Sequence, residues 1–348
     1  MRAVQLTGWQ SDPELVEVDA PDPGPGEVLV EVEAAGLCHS DLHLMHDWPE
    51  GVLPYALPFT LGHENAGTVA ALGPGAAGVE VGERVVVHSR WGCGRCRFCL
   101  QGMDNVCQTP VGELGFHGGG AGRDGGLAPL MVVPSSRYLV PIGDLDIAAA
   151  APLTDAGLTP YHAIGRSRHQ LRPDGGVVVI GVGGIGHVAV QILRALSEVP
   201  VVAIDAREEA LLLALAAGAR AALPAAEASP ERVREELGGK GATLVLDCVA
   251  IDSTLALAAA VLAPGGDLSY VGRGGGTLPV APGKVPFEAS VLVPTWGSLA
   301  ELVEVVALAR AGAIRIEVER LGLDAAIDGY RRLERGEIVG RAVVDPRA

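Results

Sequence analysis

The chain has 348 residues, more than a single hydrophobic core usually supports, so two domains are expected. Hydrophobic residues make up 49% and charged residues 20%, a composition that is typical of folded globular proteins and excludes a disordered or fibrous chain. The formal net charge of −16 at pH 7 would repel nucleic acid and anionic membrane surfaces, so neither is expected as a partner, whereas a small neutral substrate is unaffected.

The first segment, residues 1–19, lacks the apolar core of a secretory signal, so we expect a cytoplasmic protein. The most apolar stretch, residues 210–226, is interrupted by Gly218, Arg220 and Pro224 and is too short to cross a bilayer, so no transmembrane segment is expected. Six cysteines in a cytosolic protein of this size favour metal ligation over disulfides.

Short strands separated by glycine and proline predict a mostly β domain up to about residue 140, with strands at residues 27–35, 67–72 and 83–88. Two candidate metal ligands lie among them, Cys38 in GLCHSDLH and His63 in GHENAG. A catalytic zinc needs three protein ligands and one open position. A lone cysteine and a lone histidine are each more often core residues than ligands, so the residues alone leave this pairing open.

Four further cysteines are spaced C-x2-C-x2-C-x7-C, at Cys93, Cys96, Cys99 and Cys107. Four thiolates satisfy a tetrahedral zinc and leave no position for substrate, so this spacing predicts a structural zinc site. The alternative is that four buried thiols lie close together in the sequence by coincidence, which is hard to reconcile with so high a density of cysteines. The sixth cysteine, Cys248, is expected to be a packing residue.

From residue 176 the pattern changes to β-branched runs at residues 177–180, 201–204, 243–246 and 268–271, which alternate with Ala/Leu-rich helical stretches. This repetition predicts a parallel sheet covered by helices on both faces. After Pro294, helices are expected at residues 299–311 and 323–334, and a last strand at residues 341–344.

A glycine-rich turn lies between the first of these strands and a helix, with the sequence GVGGIG; its predicted cofactor-binding residues are Gly181, Gly183, Gly184, Ile185 and Gly186. Such a turn lets the backbone approach a pyrophosphate at a helix N-terminus. The alternative is a glycine-rich turn in another kind of parallel-sheet protein. Asp205 ends the next strand, where a carboxylate binds the ribose hydroxyls of NAD and repels the 2′-phosphate of NADP. Arg207 could neutralise that phosphate or simply be solvated.

The motifs CHSD, GHENAGTVAALGPGA, the four-cysteine lobe and GVGGIG occur in the order found in medium-chain zinc alcohol dehydrogenases, which the chain resembles over essentially its whole length. The segment APLTDAGLTPYHAI, residues 151–164, is similar to bacterial secondary-alcohol dehydrogenases. The resemblance implies an α/β fold class with two domains. One is a GroES-like, mostly β catalytic domain (residues 1–153 and 294–348). The other is a Rossmann domain with a doubly wound parallel sheet (residues 154–293), so the C-terminal tail is expected to fold back onto the first domain.

The resemblance also implies that Cys38, His63 and Asp155 ligate the catalytic zinc, with Glu64 as an alternate or supporting group. Many relatives have a cysteine where this chain has Asp155, but a carboxylate is also a competent zinc ligand. The alternative for Asp155 is a helix N-cap. The resemblance further implies a proton relay through Ser40 and His43.

Asp41 resembles the carboxylate that orients the ligand His63, and otherwise would be a solvated loop aspartate. The remaining cofactor contacts implied by the resemblance are His39, Val249, Val271, Gly272 and Arg341. Tyr55 and Trp296 match positions that line the substrate pocket, and could equally be core residues.

The function implied is hydride transfer between a small or medium-sized, secondary alcohol and NAD, in an enzyme with two zinc ions per chain and a homotetrameric or homodimeric assembly. Within enzymes, the alternative is a polyol or amino-alcohol dehydrogenase of the same superfamily. The alternative outside enzymes is a non-catalytic NAD(H)-binding regulator. Such a protein should lack Cys38, His63 or Ser40, and all three are present. A purely zinc-stabilised structural module would not need the glycine turn and Asp205.

Overall fold

The computed structural model describes residues 1–109 and 118–348, which form two compact units. The first comprises Met1–Leu158, Trp296–Gly312 and Ile316–Ala348, and the second comprises Thr159–Thr295 and Ala313–Arg315. Across these two described stretches, no helix combines the length and the apolar character that crossing a membrane requires.

The first unit is built mainly of short strands, and most residues of its central strands are buried. Its strands up to residue 141 are β1 (Arg2–Leu6), β2 (Glu14–Glu17), β3 (Val28–Gly36), β4 (Phe59–Thr60), β5 (Glu64–Leu72), β6 (Arg84–Val87), β7 (Gly118–Gly119), β8 (Gly122–Arg123), β9 (Leu130–Val133) and β10 (Leu139–Pro141). Its first helices are α1 (His39–His46), α2 (Arg97–Leu100) and α3 (Ile147–Ala150).

The second unit alternates strand and helix. Its elements are α4 (Leu158–Arg166), β11 (Val177–Ile180), α5 (Gly186–Leu196), β12 (Val201–Asp205), α6 (Glu208–Ala216), β13 (Ala221–Pro224), α7 (Pro230–Glu236), β14 (Ala242–Asp247), α8 (Asp252–Val261), β15 (Leu262–Tyr270) and β16 (Ser290–Leu292). The strands are all parallel, in the order β13-β12-β11-β14-β15-β16. This arrangement confirms the predicted doubly wound sheet and puts β11 beside the point at which the strand order reverses.

The C-terminal segment contains α9 (Leu299–Arg310), β17 (Val318–Gly322), α10 (Ala326–Glu334) and β18 (Arg341–Asp345). β18 pairs antiparallel with β3, with Val343 opposite Gly36 and Val344 opposite Ala35. The tail therefore folds back into the sheet of the first unit. The sheet order is β10-β6-β5-β3-β18-β17, with β9 also pairing with β3.

The centre of this sheet positions the candidate site, because β3 pairs with both β5 and β18. Val30 and Val32 of β3 are fully buried in the hydrophobic core of the unit. Gly36, at the end of β3, lies opposite Glu64 at the start of β5. A Cβ atom on Gly36 would lie 1.9 Å from a carboxylate oxygen of Glu64, so only glycine leaves room for that side chain.

Candidate active site

Three buried side chains from separate segments of the first unit converge on one point. Cys38 lies between β3 and α1, His63 immediately precedes β5, and Asp155 follows a short 3-10 helix, Ala151–Thr154. The Oδ2 atom of Asp155 is 3.3 Å from the Cys38 Sγ atom and 3.4 Å from the His63 Nε2 atom. The three ligand atoms all lie within 4.8 Å of one another.

This donor set fits a zinc ion. Zinc bonds of 2.0 to 2.3 Å with tetrahedral angles put neighbouring ligand atoms about 3.3 to 3.8 Å apart, close to the separations measured here. Thiolate, imidazole and carboxylate are all ordinary zinc ligands, and three of them leave one position open. The Ser40 Oγ atom lies beside the group, 3.0 Å from the Cys38 Sγ atom and 3.3 Å from the His63 Nε2 atom. The arrangement can therefore hold a metal next to a hydroxyl group.

His63 is held in a defined orientation. Its Nδ1 atom is 2.8 Å from the Oδ1 atom of Asp41, so the Nε2 atom is the one that faces Cys38 and Asp155. Burial by itself would lower the pKa of His63, but the carboxylates of Asp41 and Asp155 raise it well above its ordinary value. These carboxylates thus favour positive charge beside the imidazole, and a bound zinc ion would supply that charge.

Glu64 lies outside the group of three converging ligands. Its carboxylate accepts two hydrogen bonds from Arg341, at 2.8 Å from the Nε atom and at a shorter distance from the Nη2 atom. The backbone N–H of Ala156 donates a third, at 3.2 Å. Arg341 also approaches Asp155, at 3.5 Å, and is only 3% exposed. Glu64 and Arg341 therefore form a buried ion pair beside the three ligands. The role of Arg341 in binding the cofactor stays a prediction.

Two of the three histidines of α1, His39 and His43, are predicted site residues, and both lie nearer the surface than the three ligands. His39, at the start of the helix, is exposed. The His43 side chain is 30% exposed, and its Nδ1 atom is 2.6 Å from the Oδ2 atom of Asp47. His43 can therefore exchange protons with solvent, while Ser40 lies next to the metal ligands.

Trp296 lies beside the candidate metal ligands. Its ring centroid is 6.2 Å from that of His63, and the guanidinium carbon of Arg90 is 4.8 Å from the centre of the indole. Trp296 adopts a φ of +44°, a left-handed conformation that is rare for a residue other than glycine and persists where the surroundings enforce it. Tyr55 packs edge-on against Phe59 and adjoins the core of the first unit.

The four remaining cysteine ligands form a second group in the first unit. The sulfur atoms of Cys93, Cys96, Cys99 and Cys107 all lie within 4.8 Å of one another. Hydrogen bonds, chiefly from Thr109, lower the pKa of Cys93 to about 6, whereas burial raises the pKa of Cys99 to about 12. A closed shell of four sulfur donors suits a structural zinc.

Apart from His39 and Arg341, which belong to the first unit, the predicted cofactor residues lie in the second unit, at or after the carboxyl ends of its strands. Gly181 follows β11 with a φ of +83°, and a Cβ atom on Gly186 would lie 1.9 Å from the carbonyl oxygen of Gly181. Glycine is thus required for α5 to start so close to the strand. Asp205 accepts hydrogen bonds from the backbone N–H groups of Val182 at 2.7 Å and Arg207 at 2.9 Å.

The other predicted residues of this region pack around the same turn. A Cβ atom on Gly181 would lie 2.5 Å from a methyl group of Val249, and one on Gly272 would lie 2.4 Å from the backbone of Val249. Val271 follows β15 and donates a backbone hydrogen bond to Asp247. Gly183 and Gly184 are half-buried, and a Cβ atom on Gly183 would meet only the Arg207 side chain, at 3.5 Å. The backbone of the turn is thus open to a ligand at Gly183.

Three residues of the site have no sequence signal of their own. The Ser89 hydroxyl donates to the carbonyl oxygens of His63 and Thr154, which connects two ligand-bearing segments. Arg90 stacks on Trp296, and Tyr330 donates to Asp41. Each acts through contacts with residues distant in sequence, so spacing could not reveal it.

Comparisons with known proteins agree along the whole chain. A model of the alcohol dehydrogenase GroES-like domain matches residues 24–144, and a model of the zinc-binding dehydrogenase family matches residues 184–311. An NAD-dependent alcohol dehydrogenase of Sulfurisphaera tokodaii is 34% identical, over 99% of this chain and 100% of its own length.

Two solved structures share the fold. The alcohol dehydrogenase of Aeropyrum pernix superposes with a TM-score of 0.91 at 34% identity, covering 99% of this chain and 100% of that one. An acetophenone reductase of Geotrichum candidum, solved with NAD, has a TM-score of 0.85 at 32% identity, covering 99% of this chain and 96% of that one.

Proposed function

The chain belongs to the medium-chain zinc-dependent alcohol dehydrogenase family, and within it we propose that the substrates are small and medium-sized secondary alcohols and the corresponding ketones. The protein is an NAD-dependent oxidoreductase that uses zinc. The observation that carries the zinc chemistry is the convergence of Cys38, His63 and Asp155 into a buried three-ligand set.

When bound, zinc supplies a Lewis acid that lowers the pKa of the substrate hydroxyl, and NAD accepts the hydride from the carbinol carbon. The chain's own residues then have distinct tasks. Cys38, His63 and Asp155 would hold the catalytic zinc, and Asp41 orients His63 through the 2.8 Å contact. The four-cysteine lobe would hold the second zinc.

Proton removal requires a path from a buried site to solvent. We infer that Ser40 accepts the substrate proton at its Oγ atom and passes its own hydroxyl proton on, because this hydroxyl adjoins the sulfur of Cys38 and the Nε2 atom of His63. We assign to His43, whose side chain is partly exposed, the final transfer of the proton to water.

We assign cofactor binding to the second unit. The backbone of the turn at Gly181–Gly186 would approach the pyrophosphate, and Asp205 would accept hydrogen bonds from the adenosine ribose. A carboxylate at Asp205 favours NAD over NADP, because it would repel a 2′-phosphate. His39 and Arg341 are retained as candidate pyrophosphate contacts.

The substrate class rests on Trp296 and on one relative. The indole lies beside His63, where a large ring limits the size of one substituent on the reacting carbon. The acetophenone reductase takes its name from an aryl methyl ketone, whose reduction gives a secondary alcohol. Tyr55 is proposed as a further lining residue of this pocket.

The experiment combines metal analysis with a substrate panel. Purified protein should contain two zinc ions per chain and reduce NAD with secondary alcohols. Cys38→Ser should contain one zinc ion and lose turnover, whereas Cys248→Ser, which removes the one cysteine outside both ligand groups, should retain both ions. Turnover of sugars or polyols alone would refute the substrate class, and two zinc ions in Cys38→Ser would refute the ligand assignment.

We further propose that the protein is a homodimer or homotetramer in the cytoplasm. β16 pairs with β15 and ends the sheet order of the second unit, and Phe287 and Val293 beside it are 78% and 76% exposed. A second copy, whose own edge strand is the same, would cover these side chains symmetrically. None of the six cysteines forms a disulfide, and a reducing compartment would keep the five proposed zinc ligands as thiols. Sedimentation analysis and cell fractionation test these two points.

A further inference from the structure

Tyr330 contacts the candidate zinc site from the C-terminal part of the first unit. It lies on α10, is 2% exposed, and its phenolic hydroxyl donates a hydrogen bond of 2.9 Å to the Oδ2 atom of Asp41. The two residues are 289 positions apart in the sequence. A buried phenol normally has such a hydrogen-bond partner. Here the partner is Asp41, the carboxylate that contacts His63, so the bond links Tyr330 to a candidate zinc ligand.

The Asp41 carboxylate contacts two of the candidate zinc ligands, His63 and Cys38. Its Oδ1 atom is 2.8 Å from the Nδ1 atom of His63, and its Oδ2 atom accepts from the backbone N–H of Cys38 at 3.1 Å. Asp41 itself is 1% exposed. Any rotation of this carboxylate would therefore move the ring of His63 or weaken the bond to the Cys38 backbone.

The hydroxyl of Tyr330 opposes such a rotation, since it donates to the Oδ2 atom from a different helix, α10. It also withdraws electron density from the carboxylate, which keeps the Nδ1 proton on His63 and leaves the Nε2 lone pair for the metal. Burial, and then the negative charge of Asp41, raise the pKa of Tyr330 well above its ordinary value. The phenol is thus a constant hydrogen-bond donor at any working pH.

We propose that Tyr330 is a positioning residue of the catalytic zinc site, acting through Asp41 on His63 and Cys38. The inference rests on the proposed function in one respect, namely that this site holds zinc. A tyrosine that merely filled the core would contribute to folding stability and leave metal binding unchanged, so the two roles are separable by experiment.

The test compares Tyr330→Phe with Asp41→Asn and with the matched control Tyr270→Phe. Tyr270 also donates its hydroxyl to a single acceptor, the Gly276 carbonyl oxygen, but lies in the second unit. Zinc release to an excess of chelator is followed in the intact protein, where the catalytic and four-cysteine ions give separate phases. The absorption spectrum of the protein with cobalt(II) in the catalytic site reports the ligand geometry.

We expect the catalytic zinc of Tyr330→Phe to leave roughly 3- to 10-fold faster, and that of Asp41→Asn roughly 10- to 100-fold faster, as is typical of residues that orient metal ligands. The four-cysteine phase should be unchanged in both variants. The cobalt bands should shift in both, and Tyr270→Phe should match the parent protein. In the double variant, the loss of Tyr330 should add little to the loss of Asp41.

Wild-type zinc release and an unshifted cobalt spectrum in Tyr330→Phe would overturn the proposal, as would equal and additive effects in the double variant. If Tyr330→Phe does not fold, an Asp41→Asn variant with unchanged zinc release would overturn it in the same way. These readouts do not involve an alcohol. Failure of the substrate assignment would instead appear in the parent protein, as two bound zinc ions without turnover of secondary alcohols.

Discussion

The Oδ1 atom of Asp104, between the third and fourth cysteines of the zinc lobe, accepts a hydrogen bond of 3.2 Å from the backbone N–H of Leu299. Leu299 starts α9, three residues after Trp296. His88 makes a second connection, between the residues just before the lobe and the residue after Trp296. Its ring nitrogens lie 2.6 Å from the carbonyl oxygen of Arg90 and 3.1 Å from that of Gly297. The four-cysteine lobe is thus connected to the segment that carries Trp296.

From this connection we predict that Asp104→Ala weakens both the fold and substrate discrimination. Loss of the acceptor leaves the Leu299 N–H without this partner, which should lower the free energy of unfolding by about 1 to 3 kcal/mol. The ratio of kcat/KM for a small over a bulky ketone should fall as Trp296 loosens. Denaturant unfolding and kinetics with both ketones check the result; an unchanged ratio in a destabilised variant would mean that the lobe does not affect Trp296.

A second prediction concerns Arg90, whose guanidinium stacks on Trp296. Arg90→Met keeps much of the side-chain length but removes the cation–π contact, which is worth about 0.5 to 2 kcal/mol. The variant should therefore accept bulky ketones better, in the same direction as Trp296→Ala but to a smaller degree. Steady-state kinetics with a ketone series would show this. Opposite trends in the two variants would contradict it.

Much of this site follows from sequence, but not all of it. The CHSD and GHENAG motifs offer Cys38 and His63 as candidates, but the family resemblance is what implies that both are ligands together with Asp155, which lies 92 positions after His63. Tyr330, Arg90 and Ser89 act through tertiary contacts that no local pattern encodes. In the fold, β11 agrees with its predicted limits because it is a buried run of valine and isoleucine. β13 was not predicted, since its sequence, AALP, lacks β-branched residues and contains proline.

A third prediction is that thiol reactivity follows metal content. With zinc bound, the lobe cysteines should resist iodoacetamide at pH 7, and after chelation Cys93 should react before Cys99. The reason is that a thiol with a pKa of about 6 is mostly thiolate at pH 7, whereas one with a pKa of about 12 stays protonated. Burial raises the pKa of Cys248, so it should stay unmodified in both states. Peptide mass spectrometry distinguishes these outcomes, and rapid labelling of Cys248 would be inconsistent with them.

A fourth prediction addresses the cofactor. Asp205→Asn keeps an oxygen that can accept from the Val182 N–H but removes the negative charge, so the glycine turn should survive while repulsion of a 2′-phosphate disappears. We expect kcat/KM for NAD to fall about 10-fold and that for NADP to rise, with Arg207 nearby to interact with the phosphate. Glu208→Gln, a charge removal at the start of α6, is the control. A variant that still rejects NADP would indicate that Asp205 does not select the cofactor.

The last prediction separates the charge of the Glu64–Arg341 pair from its packing. Both side chains are at most 3% exposed, so removing one partner leaves a buried charge without its counter-ion. Arg341→Met and Glu64→Gln should each lower the free energy of unfolding by about 3 to 5 kcal/mol. The double variant should be more stable than the sum of the two losses predicts, because no charge is then left unpaired. Denaturant unfolding of the zinc-loaded protein measures all four forms. Strict additivity would show that the two residues stabilise the fold independently, and that Arg341 is held chiefly by Asp155, 3.5 Å from its Nη2 atom.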